Sequence, residues 1–497
     1  MTRTIVVGGG AAGSALTARL SDDPDREVTL IEAGRADGVY PPELLDASGI
    51  RGAMPGHPAT WTYEALLARG RPYAVARGRI LGGSTTINGG YFVRARRGDH
   101  DIWADAGGPR WSYDACLPIW RAIEADADFG ATALHGAAGP VPVRRHDGGL
   151  LAAAFTEAAT ARGHPLEPDK NGEQPAGVGP VPSNVRGGVR VNTGLAYIEP
   201  VRGRTNLRIL GSTTVARIRW RGARAVGVET DVGGVDADEV VLCAGAIGSA
   251  RILLSSGVGP QRPLSTLGIA VRADLPVGTA FADHPDIAVA WRPRGVIPDS
   301  ADPFPFPVAL HLDAAGRGGA DGDLELLLAA RPLDQLLTGS AAPDADRQVI
   351  VGLQAPRGRG ELSLRSADPT TSPRVAYRYL EEASDRDRLR SGIRETAALL
   401  QTGALGEVCA GLSDLGDAQL QSDGALDDWM HAHLGTAIHM CATAPIGDVV
   451  DGAGRVLGVE GLRVADTSIL PSVPSRGPAA SAVLVGEVVA RAMRAGD

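Results

Sequence analysis

Thr4-Ile5-Val6-Val7-Gly8-Gly9-Gly10-Ala11-Ala12-Gly13 stands at the front of the chain, and its reading settles the fold class. Four β-branched residues in a row make the short apolar run of a strand covered on both faces. The next six fit the pattern G-x-G-x-x-G. Ala15, Leu16, Ala18 and Leu20 then give a helix its apolar side, and Ser21-Asp22-Asp23-Pro24 ends it, because proline cannot continue the hydrogen-bond ladder. A second strand, Glu27 to Ile31, stops at Glu32.

In that strand–turn–helix–strand setting each glycine has a distinct role. Gly8 permits the tight turn, Gly10 lets backbone approach a pyrophosphate, and Gly13 allows the helix to pack close to the strand. The helix N-terminus offers free N–H groups and a positive dipole end to an anion. Glu32, nineteen residues after Gly13, stands where a carboxylate accepts from ribose hydroxyls and repels a 2′-phosphate. The unit predicts an α/β, Rossmann-like dinucleotide-binding domain. By itself it does not separate FAD from NAD.

The remaining composition bounds the answer. A chain of 497 residues is too long for one ordinary core. With 44% hydrophobic and 22% charged residues it is a packed protein, and its 66 glycines sit mostly at turns between apolar runs. A net charge of -9 argues against a nucleic-acid binder. Lys170 is the only lysine; arginine supplies the rest of the positive charge. Cys116, Cys243, Cys409 and Cys441 are scattered with no CxxC pair, which predicts neither a disulfide framework nor a zinc site. With no leader at the N-terminus and no run of 18 apolar residues, the expected address is the cytoplasm.

Four further segments follow in order: Arg77-Gly78-Arg79-Ile80-Leu81-Gly82-Gly83-Ser84-Thr85-Thr86-Ile87-Asn88-Gly89; Gly245 to Pro260 after the apolar strand Glu239–Ala244; Asp283-His284-Pro285; and His439-Met440-Cys441-Ala442-Thr443-Ala444-Pro445-Ile446-Gly447 with Gly461 to Pro471 behind it. Together with the N-terminal loop they resemble the glucose–methanol–choline (GMC) oxidoreductases. That resemblance implies FAD and the oxidation of an alcohol CH–OH group, with His439 as catalytic base. It implies a flavin domain touching the cofactor through Gly8, Gly10, Ala12, Gly13, Glu32, Ala33, Arg79, Leu81, Gly82, Gly83, Asn88, Val215, Asp466 and Pro478. No histidine lies between Gly82 and Gly90, so FAD is expected to be noncovalent. His284, between Asp283 and Pro285, reads as structural, and Cys441 as a buried thiol near the flavin. His431 and His433 lack the acidic partners of a metal site, so no metal is expected.

One position departs from the family's pattern. Where a second His or Asn usually stands, this chain has Gly477, in Pro474-Ser475-Arg476-Gly477-Pro478. A single base follows, or Arg476 fills the gap as an alkoxide-stabilising group that cannot itself be a base. The same ending is similar to the mycofactocin-associated branch, which implies a reduced peptide-derived redox cofactor as hydride donor and a separate electron acceptor. Two alternatives stay open: an oxidase of small or aromatic alcohols using oxygen, and a lyase with a structural FAD.

The flavin domain is expected to be discontinuous, from residues 1–155, 195–290 and 430–497. A substrate-binding cap built on an antiparallel sheet covered by helices takes 156–194 and 291–429. Leu324–Leu328 and Gly360–Arg365 read as strands of that cap, Ala383–Leu400 as a covering helix, and Pro298–Pro303 as an edge loop.

Overall fold

The computed structural model describes residues 1–298, 300–314, 322–342 and 344–497, so Asp299 of the expected edge loop and a few cap positions lie outside it. Its organising sheet is parallel and five-stranded. The strand order is Leu207–Leu210, Arg26–Ile31, Thr2–Val7, Glu239–Leu242 and Leu462–Val464. Thr4-Ile5-Val6-Val7 pairs residue for residue with Glu239–Leu242 on one side and Val28–Ile31 on the other. The middle of the sheet is covered on both faces, and Ile5, Val6, Val28, Leu30, Val240 and Val241 are buried. Strands separated by up to about 455 positions in sequence thus meet in one sheet. Leu207–Leu210 lies at the sheet's edge, beside Val28–Ile31.

The helix Ala11–Leu20 that follows the glycine loop packs against the C-terminal helix Ala479–Ala495. Two glycines let the first helix sit close to its neighbours, Gly13 toward the turn that precedes it and Gly486 toward the C-terminal helix. A Cβ on Gly13 would lie 1.9 Å from the carbonyl oxygen of Gly8, and one on Gly486 would lie 2.3 Å from that of Ala12.

The second large sheet is antiparallel and runs in the order Cys409–Leu412, Pro285–Pro293, Arg347–Leu353, Leu324–Leu328, Val308–Leu312 and Val178–Pro180; Leu434–Thr436 adds to Pro285–Pro293. The helix Ala383–Leu399 covers one face, with Gly392 seated against Val351 and Leu324. The strand expected at Leu324–Leu328 and the covering helix are both found. The boundaries differ in detail. Pro285–Pro293 and Leu434–Thr436 belong to the cap sheet although they flank flavin-domain segments. Conversely Glu361–Ser363 leaves the cap: with Arg374–Ala376 it joins the hairpin Thr60–Ala68 and Arg71–Gly78 in a four-stranded sheet. A short strand's alternation reports one buried face but not which sheet supplies the partner. Among the described residues no helix is long and apolar enough to cross a membrane.

The helix–helix contact yields a test. Gly486→Val should force apart the two helices that carry the glycine loop and the C-terminal segment. A loss of about 1–3 kcal/mol is expected, read as a lowered thermal midpoint together with reduced flavin content of the purified protein.

Candidate active site

Between the two large sheets lies a cavity of about 740 Å³. Its lining includes Gly8, Gly10, Ala12, Glu32, Ala33 and Val215 and also Gly83, Asn88, Asp466, Gly477, Pro478 and His439. Three helices present their N-terminal residues to it: Ala11–Leu20, Gly245–Ser255 and Ala479–Ala495. Their dipoles and free N–H groups suit an anionic ligand. A Cβ on Gly10 would have no atom nearer than 3.9 Å and one on Gly245 none within 4 Å, so the backbone is open to the cavity at both helix starts. These features fit a flavin dinucleotide.

The expected contact residues divide into two groups. Gly13, Arg79, Leu81 and Gly82 do not line the cavity and act from behind its wall. Gly13 sets the helix spacing, Leu81 packs under Gly9, and Gly82 takes a left-handed turn at φ 90°. The Arg79 guanidinium lies 4.4 Å over the Trp61 ring. Glu32 lines the cavity, while its two oxygens accept from the N–H groups of Gly9 (2.9 Å) and Gly34 (2.8 Å). Burial outweighs those bonds and pushes its carboxyl up to about 7. Asp466 also reaches the cavity wall, with its oxygens engaged by the protein: Oδ2 accepts from Gly245 N–H and Ser249, Oδ1 from Ser468. It caps two helix starts at once.

His439 is placed by an unusual local backbone. Ile438 (φ 62°) and Ala442 (φ 67°) are left-handed, a conformation rare for a β-branched residue. Three contacts hold this stretch. Arg77 donates to the Ile438 carbonyl, Cys441 and Ala282 exchange backbone bonds, and Asp283 Oδ1 accepts from the His439 N–H at 2.7 Å. The same Asp283 oxygen accepts from the His284 N–H, also at 2.7 Å. One carboxylate therefore anchors both imidazole-bearing residues.

The consequence is a contact between Nδ1 of His284 and Nδ1 of His439 at 3.0 Å, with the rings perpendicular. His284 Nε2 lies 3.0 Å from the Pro474 carbonyl oxygen, which can only accept, so that nitrogen carries the proton. His284 Nδ1 is then an acceptor, His439 Nδ1 donates to it, and the His439 lone pair is left on Nε2. That nitrogen faces Gly477: a Cβ built there would lie 3.6 Å from it. Burial drives His439 well below the ordinary imidazole value, helped by His284 and Arg77, and drives His284 to about 4. The pair is neutral, with a free base nitrogen at the cavity.

This geometry amends three expectations. His284 is more than a packing residue, since it fixes the tautomer of His439. Arg476 does not fill the place of Gly477; it is fully buried and turns to the carbonyls of Ser475 and Gly322. Cys441 is buried, does not line the cavity, and donates to the His439 carbonyl at 3.2 Å. His431 and His433 sit at the end of a helix, bonded to the carbonyls of Arg69 and Trp429, and His433 Nε2 has one acidic partner the sequence did not reveal, Asp414 at 2.6 Å. Glu124, Asp126 and His135 come close enough to share an ion, but Arg94 already meets Glu124 and Arg145 meets Asp126 and Asp169. That cluster is a self-neutralised ionic knot. Tyr91, Asp286 and Glu325 also line the cavity; they lie outside every motif, so no signal in the sequence marks them.

A dinucleotide cradle beside a neutral histidine base defines a dinucleotide-dependent oxidoreductase. Comparison with known proteins makes the class specific: the GMC oxidoreductase family models match residues 2–286 and 356–486, and the chain belongs to that family. It is 38% identical to a GMC-type oxidoreductase in the thcA 5′ region of Rhodococcus erythropolis, over 97% of this chain and 96% of that one. It is 34% identical to an oxygen-dependent choline dehydrogenase of Klebsiella pneumoniae, over 99% and 95%. Pyridoxine 4-oxidase from Mesorbium loti superposes with a TM-score of 0.90 at 28% identity, covering 100% of this chain and 99% of that one. The protein is an FAD-dependent oxidoreductase acting on CH–OH groups.

Two outcomes are expected. A base must be unprotonated to act, so activity should stay flat above the lowered pKa of His439 and fall only as pH drops through it. The acid limb of kcat/KM should therefore lie below the ordinary imidazole value of 6.5. His284→Ala removes the acceptor that fixes the tautomer, and kcat should fall about 10- to 100-fold with KM little changed, measured by steady-state kinetics.

Proposed function

We propose that this chain oxidises a small alcohol with His439 Nε2 as the base, and that its FAD is held without a covalent bond. The observation that carries this reading is the hydrogen-bond chain Pro474–His284–His439, which leaves a neutral acceptor nitrogen at the cavity. The hydroxyl of a bound alcohol gives its proton to that nitrogen, and the growing alkoxide charge weakens the carbinol C–H bond. When bound, FAD supplies the hydride acceptor. Gly477 leaves the edge of the imidazole open, so the alcohol reaches Nε2 without a second side chain over it. The buried His284 ring keeps water from His439 Nδ1.

The same cavity has to hold the dinucleotide, since its lining runs from Glu32 to His439, and about 740 Å³ leaves a modest share for the donor. Choline and pyridoxine, in the names of the related proteins, are small alcohols. Both points favour a small donor. The open edge at Gly477 is the feature that favours the larger reading, a reduced mycofactocin-type donor. Noncovalent attachment is supported by the lining itself. Among the described residues His439 is the only histidine there, and burial raises the Cys243 thiol, the cysteine on the wall, well above its usual range.

The test is anaerobic mixing of the purified yellow protein with a series of small alcohols and, separately, with reduced mycofactocin, followed by admission of air. Bleaching of the flavin absorbance by small alcohols is expected. Bleaching by mycofactocin alone would replace the small donor with the larger one, and rapid return of colour in air would mark an oxidase. His439→Ala should keep FAD but reduce it about 10²- to 10⁴-fold more slowly. An unchanged rate in that variant would remove the base from the account.

A further inference from the structure

The base lacks one ordinary element. A histidine that gains a proton is commonly steadied by a carboxylate on its other nitrogen. Here the Nδ1 partner is a neutral imidazole, which fixes direction but supplies no opposing charge. The cap sheet carries a carboxylate on the cavity wall instead. Glu325 lines the cavity with His439, on the strand Leu324–Leu328. It stands directly opposite His311 on the neighbouring strand, so both side chains share one face of the sheet. On its other side the opposite residue is Gly352, which has no side chain, and beyond that Asp286.

The surroundings of Glu325 keep it ionised and still. Its Oε2 accepts from the Tyr91 hydroxyl at 3.1 Å and from His311 Nε2 at 2.8 Å. His311 Nδ1 faces both Lys170 Nζ at 3.1 Å and Glu167 at 3.3 Å. Nε2 has only the carboxylate before it and so carries the proton, and the bare Nδ1 takes a bond from the ammonium. Lys170 places its other donors on Glu167 (2.8 Å) and on the Gly177 carbonyl (3.2 Å). Three donors thus meet three acceptors on separate sides. A planar guanidinium has a flat fork in place of that spread. The chain's only lysine, in a sequence otherwise supplied with arginine, stands at this fully buried point. Burial works against the Glu325 charge, but the His311 bond and the nearby Arg476 and Lys170 bring its carboxyl down to about 2.

We infer that Glu325 is the electrostatic partner of the base: the fixed negative charge, held through His311 and Lys170, that steadies the imidazolium formed when His439 takes the alcohol proton. The charged and titratable groups facing it are Tyr91, His311, Glu167, Lys170, Arg476 and Asp286, besides the two active-site histidines. Its influence on His439 is to raise the imidazole, against the burial, His284 and Arg77 that lower it. The inference rests on His439 being the base.

The test is the pH dependence of flavin reduction by an alcohol, followed anaerobically in a rapid-mixing instrument. In Glu325→Gln, which keeps the shape and removes the charge, the plateau rate should fall about 10- to 100-fold. The acid limb should move to lower pH by about one unit, with FAD content and KM near those of the unaltered protein. Glu325→Asp should restore most of the rate. A Gln variant with an unaltered rate and pH profile would overturn the inference while leaving His439 as the base, provided His439→Ala is inactive. An active His439→Ala would instead overturn the reading on which it rests. If the Gln variant fails to load FAD, Glu325→Ala with added acetate decides: recovery of rate with acetate supports the role, and a slow rate that no acetate restores contradicts it.

Discussion

The contact on which the site depends is the 3.0 Å hydrogen bond between Nδ1 of His284 and Nδ1 of His439. Two identical atoms cannot both donate, so the bond has a direction only because Pro474 offers His284 a carbonyl, which can only accept. Reverse that end of the chain and the proton of His439 would sit on the nitrogen that faces the donor. The free base nitrogen is thus set by position, through a neutral partner, and burial keeps both rings neutral before the proton arrives. The surrounding structure serves that contact. Asp283 anchors both backbones, Arg77 holds the left-handed Ile438, and the strands Pro285–Pro293 and Leu434–Thr436 pair to bring residues about 155 apart in sequence side by side.

Most of the fold was legible because the ten residues Thr4–Gly13 are locally decisive. A run of four β-branched residues into G-x-G-x-x-G has few other structures open to it. The helix from Ala383 and the strand at Leu324 were equally plain from their patterns. The allocation of strands to sheets was not. Glu361–Ser363 carries the alternation of any half-buried strand, and its partner Arg374–Ala376, which in turn pairs with Ala65 and Leu66, is chosen by packing that a single sequence does not display.

The site was legible to the extent that motifs carried it. His439, Glu32 and the glycine loop lie in recognisable runs, and the cavity collects them. What motifs miss is the direction of a side chain. Arg476, next to Gly477, had the chemistry to fill the gap but points into the ionic interior toward Glu167, at 4.0 Å. His284 looked like a packing residue because its neighbours in sequence are Asp and Pro; its function comes from a residue 155 positions away. Glu325 belongs to no motif at all, and an acidic residue in Leu-Glu-Leu-Leu-Leu reads as the exposed member of a strand. It is instead turned toward a cavity and matched with His311 across the sheet.

The central claim is that His439 presents an unprotonated Nε2 to the cavity. Nitrogen NMR of the protein labelled at histidine, with His439 assigned by its absence in His439→Asn, tests it most directly at neutral pH. The account predicts a pyrrole-type Nδ1 and a pyridine-type Nε2 for His439, and the mirror arrangement for His284. A His439 ring protonated on Nε2, or on both nitrogens, would contradict it.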